Sequence, residues 1–243
     1  MITEIFTNED GTFIIFPNDA IAQHIKKGQK WEDHFSKVVS KFIKPGDTVL
    51  DCGANFGYNS VVMGKKLENQ GLLVAFEPQR LVHQQLNGNL ILNNIFNAIT
   101  YNAALGDTNS TVTMKHVDYN LPWVNIGDTS VGEGGEEVQL YKLDDLGLEF
   151  VNFIKLDVQG YELFVLQGAE DLLKTHQPDL FIELEAHQLE KFNITTDQIL
   201  EYLKNLGYSI YRIDNEYPCD HICTINSLDK IETLKSILPL VKV

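Results

Sequence analysis

The stretch Asp51-Cys52-Gly53-Ala54-Asn55-Phe56-Gly57 carries an acid, two glycines and an asparagine within one short loop. An apolar run, Thr48-Val49-Leu50, precedes it, and a helical pattern begins at Tyr58. Glycine turns sharply or lets backbone approach a ligand or a neighbouring helix, and asparagine tolerates left-handed geometry. Gly53, Asn55 and Gly57 therefore read as a loop that cradles a bound molecule. Glu77 stands twenty residues past Gly57, at the end of the next apolar run, LLVAF. An acid at that spacing can accept hydrogen bonds from both hydroxyls of a ribose. Strand, glycine loop, helix, strand, acid is the order of a nucleotide site at the carboxyl edge of a parallel sheet.

The phosphate-gripping pattern G-x-x-x-x-G-K-[ST] is absent, and the loop is not G-x-G-x-x-G. Asp51 would repel a pyrophosphate. It suits a ligand that carries an ammonium and a sulfonium, which describes S-adenosylmethionine.

Further acids are expected at the same edge. Asp157 ends the apolar run VNFIKL, where it could bind the cofactor amine, orient an acceptor, hold a divalent ion or cap a helix. Glu162 falls one turn later, with structural and site roles equally open. Glu183 and Glu185 share a strand face, with His187 just beyond. Asp157 and Glu185 are expected to end neighbouring strands, about 4.8 Å apart in backbone terms. Carboxylates so close repel unless one keeps a proton or a cation intervenes. Two schemes follow: a metal-free one with Asp157, Glu185 or His187 as base, and one with a bridging Mg²⁺. Cys219, His221 and Cys223 alternate at roughly 6.6 Å, too wide for one zinc. Trp31, Glu32 and Trp123 could face an acceptor, with core packing the competing role for both tryptophans.

These residues need a scaffold. Residues 47–107 alternate β-α-β-α-β, and the alternation resumes after 150, which means a parallel sheet covered on both faces. One helix is expected over ELFVLQGAEDLLKTH, an N-cap at Thr195 or Thr196, and an antiparallel pair from YSIYRID and HICTIN. Residues 1–45 read as a hairpin and helical cap, divided at Gly28. Residues 108–143 read as a strand-loop insertion over the acceptor site, within a single domain spanning 1–243. A chain of 243 residues buries roughly 70–75% of its unfolded surface as one domain. Its net charge of −15 disfavours a nucleic-acid partner. No apolar run approaches the ~18 residues of a membrane span. The N-terminus lacks the marks of a signal peptide, so a cytoplasmic setting is expected.

The blocks PGDTVLDCGANFGYNS, LLVAFEP, NAALGD, FIKLDVQGYELFVLQGA and PDLFIELE resemble the FkbM family of S-adenosylmethionine-dependent methyltransferases. The resemblance runs from about Gly28 to Asn226. It implies a class I, Rossmann-like three-layer α/β sandwich with a seven-stranded, mostly parallel sheet whose last strand is antiparallel. It also implies O-methylation of a sugar, glycan or small metabolite. Gly53, Asn55 and Gly57 would line the methionine end of the cofactor, and Asp51 would organise its ammonium through the loop. Glu77 would hold the ribose. Ala104 and Leu105, with Asp107 nearby, would flank the adenine, although Asp107 could equally be a turn residue. Cys52 and Gln159 depart from the family, which usually has Val and Glu there. A nucleotide-dependent oxidoreductase and a non-catalytic binding module on the same fold are the alternatives.

Overall fold

The computed structural model of the chain describes residues 2–132, 134–217 and 219–243. A hairpin comes first, β1 (Glu4–Thr7) and β2 (Thr12–Ile15), with its turn closed by the Asn8 carboxamide oxygen, which accepts from the Asp10 and Gly11 amides. Helices α1 (Ala20–Lys26) and α2 (Asp33–Phe42) follow, with Gly28 at φ 79° between them. Next come β3 (Thr48–Cys52), α3 (Tyr58–Leu67), β4 (Leu72–Phe76), α4 (Arg80–Leu92) and β5 (Ala98–Tyr101). Three strands, β6 (Ala103–Leu105), β7 (Ser110–Met114) and β8 (Glu136–Tyr141), form a separate small sheet. The alternation resumes with β9 (Phe153–Leu156), α5 (Glu162–Gln167), α6 (Glu170–His176) and β10 (Asp179–Glu183). Then come α7 (Ala186–Leu189), α8 (Thr196–Asn205), β11 (Ser209–Ile213), β12 (Asp220–Thr224), α9 (Leu228–Leu234) and β13 (Leu240–Lys242). Thr195 caps α8 in a reciprocal box with Gln198.

The main sheet has the order β13-β11-β12-β10-β9-β3-β4-β5. From β10 to β5 the neighbours run parallel, while β12 is antiparallel to both β10 and β11. Eight strands replace the expected seven, because Leu240–Lys242 returns to pair antiparallel with β11 and covers an edge that would otherwise stay open. The single helix expected over 162–176 is two helices. Gly168 sits so close to the Gly106 carbonyl that a Cβ would lie 1.9 Å from it, and the chain turns there. Beyond β5 the chain also leaves the main sheet, so Ala104 and Leu105 belong to the insertion's sheet.

Side-chain alternation on the central strands builds two apolar layers. Val49, Leu73, Phe153 and Phe181 face the hairpin, α1 to α4 and α9. Leu50, Val74, Ile154 and Ile182 face α5, α6 and α8. Strands buried on both faces are what a covered parallel sheet requires. No helix among the described residues is long and apolar enough to cross a membrane.

Helix α2 docks on the middle of the sheet through a stripe of Phe35, Val38, Val39 and Phe42. The Phe35 ring lies 4.9 Å from Phe181, edge-on, and 6.5 Å from Phe153. This contact holds the N-terminal cap, and with it Glu32 at the head of α2, against the strands that carry the acids. Phe35→Ala is expected to cost about 3–5 kcal/mol of stability, measured by urea unfolding.

Candidate functional site

The carboxyl ends of β3, β4, β9 and β10 open into one cavity of about 450 Å³. Its floor is the glycine loop. Gly53 adopts φ 86°, and a Cβ there would lie 1.8 Å from the Asp157 carbonyl oxygen. Only glycine lets the loop touch the end of β9 in this way. The Gly53 and Ala54 amides donate to the Phe76 carbonyl at 3.1 and 2.9 Å, which ties the loop to β4. Asn55 takes the left-handed conformation anticipated for it, at φ 50°.

Glu77 is 4% exposed and lines the cavity. One of its oxygens accepts from the Asn55 amide at 2.9 Å and the other from the Gln79 amide at 2.7 Å. Burial pushes its carboxyl up to about 7. Ala104 and Leu105 also line the cavity. Asp51, Gly57 and Asp107, expected at the ligand, stand off the cavity wall. Asp51 alternates with Leu50 and Cys52, so its side chain enters the layer under α3, where it accepts from the Ser60 hydroxyl at 2.5 Å. Gly57 serves packing, since a Cβ would lie 2.6 Å from a Leu86 methyl on α4. Asp107 follows Gly106, whose backbone is wedged beside Gly168.

A cavity residue that sequence reasoning missed is Lys155, 3% exposed. It is the cross-strand partner of Asp51, and its ammonium lies 3.2 Å from an Asp157 oxygen. Burial opposes the charge, but Asp157, Asp51, Glu32 and Glu183 outweigh it and raise the Lys155 pKa. The signal was a lone cation inside the apolar run FIKL, two residues from Asp157 and so on its face.

The carboxyl partner of Asp157 is Glu183, not Glu185. β10 ends at Glu183, the Leu184 amide donates to the Cys219 carbonyl, and the chain then turns so that Glu185 precedes the first residue of α7 without capping it through its side chain. Glu183 is pushed far up by burial and by the Asp157 charge, so it keeps its proton and shares it with Asp157. Burial also acts against Asp157 ionisation, but Lys155 overrides it and holds that carboxyl below its usual range. Gln159 donates to the other Asp157 oxygen at 2.8 Å. A cation of the chain's own, the Lys155 ammonium, thus stands beside Asp157. Glu183, Cys219 and Asp220 bring ligand atoms within 4.8 Å of one another. Burial raises the Cys219 thiol, which donates to Glu183 at 3.4 Å.

Glu185 and His187 sit at the mouth. One Glu185 oxygen accepts from the Tyr217 hydroxyl at 2.6 Å, and the other lies 3.5 Å from His187 Nε2. Trp31 and Glu32 line the cavity, whereas Trp123 is exposed and apart from it. From the insertion, Asn125, Gly127, Asp128, Thr129 and Val131 form one wall. The segment is anchored on both sides. Asp19 accepts from the Ile126 amide at 3.1 Å, Gln188 donates to Asp128 at 2.5 Å, and Ser130 donates to the Gln159 carbonyl at 2.8 Å. Glu133, in the same segment, lies outside the described residues.

The family model of the methyltransferase FkbM domain matches residues 51–210. Methyltransferase sdnD of Sordaria araneosa is 26% identical over 196 residues, 62% of this chain and 75% of that protein. Methyltransferase 1 of Beauveria bassiana is 26% identical over 155 residues, 52% of this chain and 60% of that one. Among solved structures, methyltransferase FkbM of Methylobacillus flagellatus is similar at 18% identity and a TM-score of 0.52. The match covers 74% of this chain and 44% of that one, so this chain spans under half of its length. A SAM-dependent O-methyltransferase of Thermotoga maritima is similar at 13% identity and a TM-score of 0.50, covering 91% of this chain and 77% of that one. The shared feature is the class I methyltransferase fold.

Glu162, for which site and structural roles were both open, forms the turn after β9. One oxygen accepts from the Val158 and Gly160 amides at 3.0 and 3.1 Å, and the other is buried without a partner. Burial raises its pKa to about 7 from 4.5. A raised carboxyl favours folding while protonated, so its contribution is lost as pH climbs from about 4.5 to about 7. Glu162→Gln copies the protonated form. Its stability is expected to fall less than wild type between pH 5 and pH 7, by on the order of 1–3 kcal/mol, measured by urea unfolding at both values.

Proposed function

The chain belongs to the FkbM methyltransferase family, and from that premise we propose that it is an S-adenosylmethionine-dependent O-methyltransferase of a small hydroxylated acceptor. The observation that carries this reading is the single cavity that joins Glu77 and the glycine loop to the Lys155–Asp157–Glu183 cluster. The residues present suit the cofactor. Gly53 leaves the floor open, Glu77 supplies a carboxylate where a ribose needs one, and the acidic walls complement a sulfonium and an ammonium. When bound, the cofactor supplies an already activated methyl group.

The chain's own task is then to position and to shield. Asp157 accepts from Lys155, Gln159 and Glu183. A carboxylate accepts about four hydrogen bonds, which leaves one site for an acceptor hydroxyl. Asp157 orients that hydroxyl and receives its proton as the oxygen attacks. Glu183 and Lys155 keep Asp157 in place. Residues 1–45 act as a cap and residues 108–143 as a wall that excludes water, both within one methyltransferase domain. Glu185 and His187 meet the acceptor's outer groups.

Charge narrows the acceptor. Glu32, Asp128, Asp157 and Glu185 line the cavity, while Asp220 is paired with His34 at 2.7 Å and the Lys155 charge is matched by its own partners. Such a wall repels phosphates and favours a neutral polyhydroxylated molecule such as a sugar over a nucleic acid.

S-adenosylmethionine and S-adenosylhomocysteine are each expected to raise the melting temperature, and NAD is not. Glu77→Ala is expected to weaken S-adenosylhomocysteine binding by about 1–3 kcal/mol in calorimetry. Unchanged affinity would remove Glu77 from the ribose.

A screen of hydroxylated acceptors with labelled cofactor supplies a turnover assay. In it, activity is expected to survive exhaustive chelation, and Asp157→Asn is expected to lose about 10²-fold or more in kcat. Activity lost to the chelator and restored by Mg²⁺ would return the metal scheme, and full activity in Asp157→Asn would end the role of that residue.

A further inference from the structure

Asn59 is the second residue of α3, two past the left-handed Gly57. It is 7% exposed and lines the cavity. Its Nδ2 donates to a Glu32 oxygen at 2.7 Å, which fixes the carboxamide and leaves Oδ1 at the other end. That Oδ1 is buried with no hydrogen-bond partner. Buried acceptors are rarely left unpaired, and each exception calls for an explanation. Glu32, from the cap, stands beside it in a left-handed conformation, φ 47° and ψ 51°. A glutamate seldom adopts this conformation, and here it brings the carboxylate to the cavity wall.

Direction along the sheet says what belongs there. Glu77 ends β4 and Asp157 ends β9, and these two strands flank β3. A ligand whose ribose rests on Glu77 and whose chain crosses the Gly53 loop sets its far end against the first turn of α3 and the cap. A carboxyl and an unpaired amide oxygen at one end of the cavity ask for a group with several N–H donors. A primary ammonium has three. We propose that Glu32 and Asn59 form the recess for the α-ammonium of the cofactor's amino-acid end, an inference that rests on the S-adenosylmethionine reading. The N-terminal cap thereby completes the cofactor site, and Trp31, which also lines the cavity, walls the recess.

The test compares two ligands by calorimetry in wild type, Glu32→Gln and Asn59→Leu. S-adenosylhomocysteine carries the ammonium. 5′-Deoxy-5′-methylthioadenosine shares its nucleoside and sulfur but lacks the amino-acid end. Each variant is expected to lose about 10- to 100-fold in affinity for the first and to bind the second as wild type does. Affinity for S-adenosylhomocysteine retained within twofold in both variants would overturn the recess, and with turnover lost it would assign these residues to the acceptor. Equal losses for both ligands would also overturn it, showing only a damaged loop. Failure of both ligands to bind wild type would instead sink the cofactor reading itself.

Discussion

The Lys155 ammonium, buried at the carboxyl end of a central strand, is the constraint around which the site is arranged. An ion without water costs several kcal/mol unless it is matched. The match comes from separate parts of the chain: Asp51 on β3, Asp157 beyond β9, Glu183 on β10 and Glu32 on the cap. Each carboxylate that steadies the lysine also charges its neighbours, so the cluster cannot hold them all ionised. Glu183 takes the proton, because it is buried beside an Asp157 that Lys155 keeps charged. The same balance explains why Asp51, immediately before the glycine loop, turns inward. Its charge serves the lysine, and the loop is left to present backbone.

A second constraint is the closeness of backbone at Gly53. The Asp157 carbonyl occupies the space a side chain would need, so the glycine loop and the end of β9 meet main chain to main chain. Glu77 extends the same economy. Both of its oxygens hold the turn that positions them, so the acid is rigid before anything binds. Rigid donors and acceptors need no reorganisation when charge develops.

The sequence made some of this legible and hid the rest, for physical reasons. The glycine loop and Glu77 were readable because their spacing follows from local geometry: a strand, a turn, a helix and a strand have fixed lengths. Asn55 was readable because few residues tolerate its backbone. Glu185 was chosen over Glu183 because alternation alone does not say where a strand stops. The stop depends on a bond from Leu184 to Cys219, a residue remote in sequence. Gly168 looked like an ordinary helix glycine until the Gly106 carbonyl was seen against it. Lys155 went unread within its apolar run, since its meaning lies in carboxylates from four segments. Local rules carried the elements, and tertiary contacts decided which side chains meet.

The docking of α2 on Phe153 and Phe181 bears on how the molecule is made. Residues of the cap are made before the strands that receive them, which follow more than a hundred residues later. Until then Phe35 has no surface to join, and Glu32 and Lys155 are strangers. Closing so long a stretch of chain is entropically costly and slow, and it comes after the local helices and hairpin have formed. The cavity, which needs both the cap and the ends of β9 and β10, therefore cannot be complete until those strands have been made.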